Sequence, residues 1–178
     1  MNPKFIFTGS EFNKIHKGKS FIKLLNSREN HGGFQFVEGE NIDEKYLGKS
    51  CYNLGFLFFE SGSLEHIHTA YQYVREATIP ADATVFCKGS IMRSDKLVLS
   101  KRVMLNRYLN LNKYKLLKKN GLLLKLFYNQ TEEMCNIAIK QNPMSLEYIK
   151  DQNLDLCMEA LIKNVASLRF VDEEYLRV

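Results

Sequence analysis

Gly18-Lys19-Ser20 has the ending of a phosphate-binding loop, in which backbone amides and a lysine hold an anion. The full pattern needs a glycine where this chain has Asn13, and the second match, Gly48-Lys49-Ser50, has Asp43 in that place. Without the first glycine the nest of amides is incomplete, so nucleotide hydrolysis is not expected. His66 and His68 stand two apart on a segment read as helix, hence on different faces, and do not make a chelating pair. A zinc site would need Cys51, Cys87 or His31 to converge on one of them, and no metal is assigned. Cys51, Cys87, Cys135 and Cys157 contain no CxxC pair, and Cys135 and Cys157 read as small buried residues in a reducing compartment. Catalytic triads are spatial, so spacing alone assigns no catalytic residue and no cofactor.

Charge supplies another candidate. The net charge is a mild +5, but no acidic residue falls between Asp95 and Glu132. Within that interval Arg107, Lys115, Lys118, Lys119 and Lys125 can form a basic stripe. It reads either as a solvated face with lysine stems over apolar surface, or as a sequence-independent nucleic-acid contact through the 96–125 segment. Aromatic interleaving is thin, limited to Tyr108 and Tyr114.

The elements that must position these residues change character along the chain. Residues 5–7 read as a strand and Ser20–Leu25 as a helix turn with Phe21, Leu24 and Leu25 on one face. His31-Gly32-Gly33 breaks the chain before a strand over Phe34–Val37, turned by Glu38-Gly39. Leu54–Phe59 reads as a buried strand. Ser63 is placed to cap a helix carrying Ile67, Ala70, Tyr71 and Val74, and strands follow over Ala77–Ile79, Val85-Phe86 and Leu97–Leu99. After about Arg107 the vocabulary is helical and repeats with a 22-residue offset: Cys135 against Cys157, Asn142 against Asn164, Leu146 against Leu168, with a fainter copy at Asn120 and Leu124. Thr131 is a good N-cap ahead of Glu132 and Glu133, and Pro143 ends that helix before a second one over Met144–Ile149. The expected fold is therefore an α+β domain with a small mixed sheet over residues 1–107. An all-α array of short helical hairpins, about 22 residues each, is expected over 108–178.

Two resemblances add to this. His31-Gly32, then Gly55-Phe56-Leu57-Phe58-Phe59, then Tyr71 and Tyr73, is similar to the layout of ADP-ribosyltransferases of the poly(ADP-ribose) polymerase type. The likeness implies NAD or ADP-ribose binding by His31, Phe58 and Tyr71, with Phe58 in a nicotinamide-stacking tyrosine's place. That family's catalytic glutamate opens a late strand, which here reads Arg93-Ser94-Asp95-Lys96, so the likeness implies an inactive relative. The whole chain more closely resembles uncharacterised proteins of giant DNA viruses of amoebae, the mimivirus type. His31–Asn41, Gly55–Phe59, Ile79-Pro80 and Ser94–Lys101 resemble the domain that precedes their ankyrin repeats, and Ala138–Ile149 a short helical repeat from the same viruses.

The expected function is a non-enzymatic protein-interaction module of a viral or host-interaction protein. A protein partner or self-association is expected at the C-terminal repeat end, where only Asp172–Val178 follow Leu168, Phe170 and Val171. No apolar run approaches the roughly 18 residues of a membrane span, so a cytoplasmic protein is expected, in the host cytoplasm if viral.

Overall fold

The computed structural model describes residues 5–45, 55–64, 67 and 70–176. Cys51, His66, His68 and the Gly48-Lys49-Ser50 match lie outside the described residues. Two units divide the chain, Met1–Tyr108 and Leu109–Val178.

The first unit opens with strand Ile6–Thr8 (β1), which passes directly into helix Gly9–Ile15 (α1). The junction is a capping box: Thr8 Oγ1 accepts the Glu11 N–H at 3.2 Å, and the Glu11 carboxylate accepts the Thr8 N–H at 2.9 Å. Phe21–Leu25 (β2) follows, with all five residues buried. Then come Asn30–His31 (β3), Phe34–Gln35 (β4), Gly39–Ile42 (β5) and Phe56–Glu60 (β6). Tyr73–Thr78 (β7), Thr84–Lys88 (β8), Ile91–Ser94 (β9), Lys96–Leu99 (β10) and Val103–Met104 (β11) complete the set. β3 and β4 make a separate hairpin, turned by Gly32 and Gly33 at φ 59° and 83°, where glycine alone carries no Cβ penalty.

The other nine strands form one antiparallel sheet in the order β1-β8-β9-β6-β2-β7-β10-β5, with β11 added to β7. β9 and β10 are a single run of chain interrupted at Asp95, and they pair on different neighbours: β9 with β6 and β8, β10 with β7 and β5. Because β6 also pairs with β2, and β2 with β7, the hydrogen bonding closes into a ring through β6, β2, β7 and the β10–β9 run. Asp95 fastens the interruption, its carboxylate accepting the Thr84 N–H at 2.7 Å. Phe21, Leu25, Phe56, Phe58, Ala77, Met92, Leu97 and Leu99 from these strands share one core with Phe12 of α1.

This corrects the expected fold. The sheet is neither small nor mixed: it has nine antiparallel strands accompanied by a few short helices. Ser20–Leu25 is no helix turn, because Phe21–Leu25 lies in the middle of the sheet with neighbours on both edges and buried side chains on both faces. A strand buried on both sides loses the alternation that would identify it. Val74 belongs to a strand, where Leu24 is its cross-strand partner, rather than to the expected helix, part of which lies outside the described residues.

Helix Leu105–Lys119 (α2) crosses the division between the units. The second unit then alternates 3-10 and α segments: Gly121–Leu126 (3-10), Glu132–Gln141 (α3), Pro143–Tyr148 (3-10), Leu154–Lys163 (α4) and Val165–Phe170 (3-10). An all-α array of helical hairpins is therefore not what forms; one arm of each 22-residue unit is 3-10. The six-residue arm is too short for a stable α-helix and closes instead with i→i+3 bonds, Ser145 N–H to Asn142 O at 2.9 Å and Ile149 N–H to Leu146 O at 3.2 Å. Asn120, Asn142 and Asn164 cap these arms identically, each Oδ1 accepting the N–H two residues on at 3.0 Å. Thr131 and Asn153 cap α3 and α4. Gln130 and Gln152 tie each unit to the next, donating to Tyr148 O at 2.8 Å and Phe170 O at 2.7 Å, and accepting from the N–H of Lys150 and Asp172 at 3.1 Å. Among the described residues no helix is long and apolar enough to cross a membrane.

Candidate functional site

A cleft of about 550 Å³ opens in the first unit where the β3–β4 hairpin lies beside the β6 and β9 strands. Its chemistry begins with a lysine in an improbable place. Lys23 sits at the centre of β2, on the same side as Phe21 and Leu25, and is 3 % exposed. Pairing between β2 and β6 stops at Ile22–Phe59, and beyond it backbone pairing no longer joins the two strands. The Lys23 amine fills that split, donating to the Leu57 carbonyl at 2.8 Å, with Nζ 4.6 Å from the centre of the Phe36 ring.

Arg93 lines the same cleft from β9. Its Nη1 donates to the Gly55 carbonyl at 3.2 Å, while Nε is buried without a hydrogen-bond partner. Neither cation has a carboxylate partner among the described residues. Burial, and secondarily the positive charge of Arg93, pulls the Lys23 amine from its ordinary 10.5 down to about 7. His31 is lowered too, first by burial and then by the charges of Lys23 and Arg93. The cleft's apolar wall is a cluster of three rings: Phe34 lies 4.5 Å from Phe56 and 5.0 Å from Phe36, centre to centre, and Phe36 lies 5.0 Å from Phe56. Asp43, Glu44 and Lys45 lie on the rim after β5.

Of the ligand-binding residues implied by the ADP-ribosyltransferase likeness, the structure places only His31 in this cleft. Phe58 is fully enclosed, with Phe12 and Phe21 edge-on at 5.8 and 5.6 Å, and has no face left for a ligand. The ring that the cleft does receive from β6 is Phe56, two residues earlier. Tyr71 is half-buried ahead of β7 and does not line the cleft. Lys23 and Arg93 belong to no short-range motif that would mark them as site residues. The available signal for Lys23 is a lysine inside the apolar run Phe21-Ile22-Lys23-Leu24-Leu25, once that run is read as a strand buried on both faces.

In the basic segment, Arg107, Lys115, Lys118 and Lys119 are exposed on α2, and Lys125 is exposed on the following 3-10 arm. The absence of acids holds along the chain but not in space, because Glu132 and Glu133 at the start of α3 share a surface hollow with Lys118. Lys125 lies 5.8 Å from the Tyr148 ring. Among the described residues no cluster of three His, Cys, Asp or Glu side chains could hold a metal ion. Cys135 and Cys157 are buried free thiols, both pushed upward in pKa by burial.

The last 22-residue unit presents a different surface. Leu124 and Leu146 are 0 % exposed, while Leu168, at the matching position, is 46 % exposed. On α4, Leu154, Met158 and Ile162 are 56 %, 48 % and 80 % exposed; Glu132, Asn136 and Lys140 hold the same places on α3. Val165 adds a further exposed apolar side chain, at 75 %. Searches of protein-family models, curated proteins and solved structures returned no match to this chain.

Proposed function

We propose that the chain is a non-enzymatic protein-interaction module that self-associates through the exposed face of α4 in its second unit. The exposed ridge Leu154–Met158–Ile162, set at i, i+4 and i+8, carries this reading. A preceding unit solves the solubility of the same ridge with Glu132, Asn136 and Lys140, so apolar residues at these positions are not required by the fold. The occupant is a second copy of this chain. Two α4 helices packed antiparallel about Met158 bring ridge against ridge, oppose the two helix dipoles, and set the acidic first turn at Asp155 toward the second copy's basic last turn at Lys163.

Sedimentation velocity over a rising concentration series tests this. The expected result is a monomer–dimer equilibrium that Met158→Glu with Ile162→Glu abolishes while the helical circular-dichroism signal is unchanged. A wild-type monomer at the highest concentration, or a double variant that associates as strongly, overturns the reading.

A further inference from the structure

We propose that the cleft between the β3–β4 hairpin and the β6–β9 strands binds a small organic oxyanion carried on a flat ring, the oxyanion seated between Lys23 and Arg93 and the ring against Phe34 and Phe56. This cleft belongs to the first unit, and its occupancy is separate from self-association through the second.

The cleft is electrostatically unbalanced. Two cationic side chains line one cleft, each with a single backbone carbonyl, and neither has a carboxylate partner among the described residues. The contrast within the same unit is Arg75, as buried as Lys23, which is matched by Glu29. Buried cations are ordinarily paired, because desolvation without compensation is costly. Capping a free carbonyl accounts for one N–H of Lys23 and one group of Arg93. It leaves the other Lys23 hydrogens and the buried Arg93 Nε unused. An oxyanion in the cleft supplies what is missing: acceptors for the remaining Lys23 hydrogens and a negative charge between two positive ones. The acids on the rim, Asp43 and Glu44, accompany Lys45 and form no ion pair with Lys23 or Arg93. Ring-bearing ligands fit because Phe34 is only partly buried, and Phe36 and Phe56 back it at 5.0 and 4.5 Å. His31, its pKa lowered by burial and by the charges of Lys23 and Arg93, adds an imidazole at the same cleft that can take part in a hydrogen bond.

The titratable and charged groups facing the seat are Lys23, Arg93 and His31, with Asp43, Glu44 and Lys45 on the rim. An anion favours the protonated amine, so binding near neutral pH draws a proton onto Lys23. Above the free amine's pKa of about 7 the affinity should fall by roughly tenfold per pH unit until the complex itself titrates.

Calorimetric titration of the full chain tests the proposal with benzoate, adenosine monophosphate, inorganic phosphate and the neutral control benzamide. Runs in two buffers of different ionisation heat report the proton count. Saturable binding of benzoate or the nucleotide, with proton uptake and with benzamide at least tenfold weaker, is the expected result, and the tighter arm identifies carboxylate or phosphate as the anion. Lys23→Met should lose at least tenfold in affinity and the proton uptake with it. Arg93→Gln, at a more exposed site, gives a second reading, and thermal melts verify that both variants fold. No saturable binding in any arm overturns the proposal. So does binding in which benzamide matches benzoate, or in which folded Lys23→Met and Arg93→Gln bind like the wild type.

Discussion

Glu29 and Arg75, 46 residues apart, meet inside the first unit with Arg75 Nε 2.9 Å from Glu29 Oε1. Both side chains are close to fully buried, at 11 % and 7 % exposure, and Glu29 also receives the far more exposed Arg102 on its other oxygen at 3.1 Å. Glu29 holds this position at φ 52°, a left-handed conformation unusual for its residue type.

Two effects compete at Glu29, and their sizes decide the outcome. Removing the Cβ relieves a backbone cost of roughly 1–2 kcal/mol. Stranding Arg75 in the interior costs roughly 3–5 kcal/mol. Glu29→Gly is therefore expected to destabilise the first unit despite its easier backbone, Glu29→Ala more so, and Arg102→Ala by less than about 1 kcal/mol. Urea denaturation of the three variants measures this; a Glu29→Gly protein as stable as the wild type would show that the pair contributes little.

Lys23 links stability to pH. Its folded-state pKa of about 7 lies below the ordinary 10.5, so between those values the unfolded chain binds more protons than the folded one. Stability from this group therefore rises with pH across that window, and the full penalty of burying the ammonium is felt below about pH 7. Lys23→Met is expected to stabilise the protein by roughly 2–4 kcal/mol near pH 6, after about 1 kcal/mol is deducted for the lost bond to Leu57 O. The gain should shrink toward zero near pH 10. Denaturation midpoints at the two pH values give the test, and a gain independent of pH would mean that Lys23 is not the titrating group.

Gly121 illustrates a constraint that the 22-residue pattern hides. Its counterparts are Pro143 and Val165, yet a Cβ at Gly121 would lie 2.6 Å from Ser145 Oγ and closer still to the Ala138 carbonyl oxygen. Gly121→Ala should destabilise the second unit by roughly 1–3 kcal/mol. Adding Ser145→Ala should not restore it, since the nearer obstacle is backbone. Thermal unfolding of the single and double variants decides; recovery in the double variant would place the conflict on the hydroxyl instead.

How much of this was legible follows the range of the forces involved. Thr131 with Glu132 and Glu133, and Pro143, announce segment ends because such signals act within their own next few residues. The same local signals could not separate an α arm from a 3-10 arm over Pro143–Tyr148. The strand at Leu97–Leu99 is visible as a short apolar run. Phe21–Leu25 was opaque because burial on both faces erases alternation, and the misreading placed Lys23 on a helix turn, away from the cleft. Phe58 has the right residue type for a stacking wall, but its surroundings come from Phe12 and Phe21, far away in sequence. The cleft itself is a product of topology: Lys23 and Arg93 approach each other only because β6 pairs with β2 on one edge and with β9 on the other.

The closed pairing of the first unit also sets the order in which the chain can fold. β1 finds its partner only when Phe86 exists, and β2 needs both β6 and β7, so the earlier strands of the unit are among those that wait longest. The ties of the second unit span 18–20 residues, as between Gln130 and Tyr148 or Lys150, and can form as soon as each stretch appears. Loop-closure cost falls mainly on the first unit, which makes the β-rich half the slower partner in folding. During that interval Phe21, Ile22, Leu24 and Leu25 form an exposed apolar segment interrupted by a single charge, the amine of Lys23. The residue that weakens the finished fold is thus the one gatekeeper against aggregation in the strand that waits.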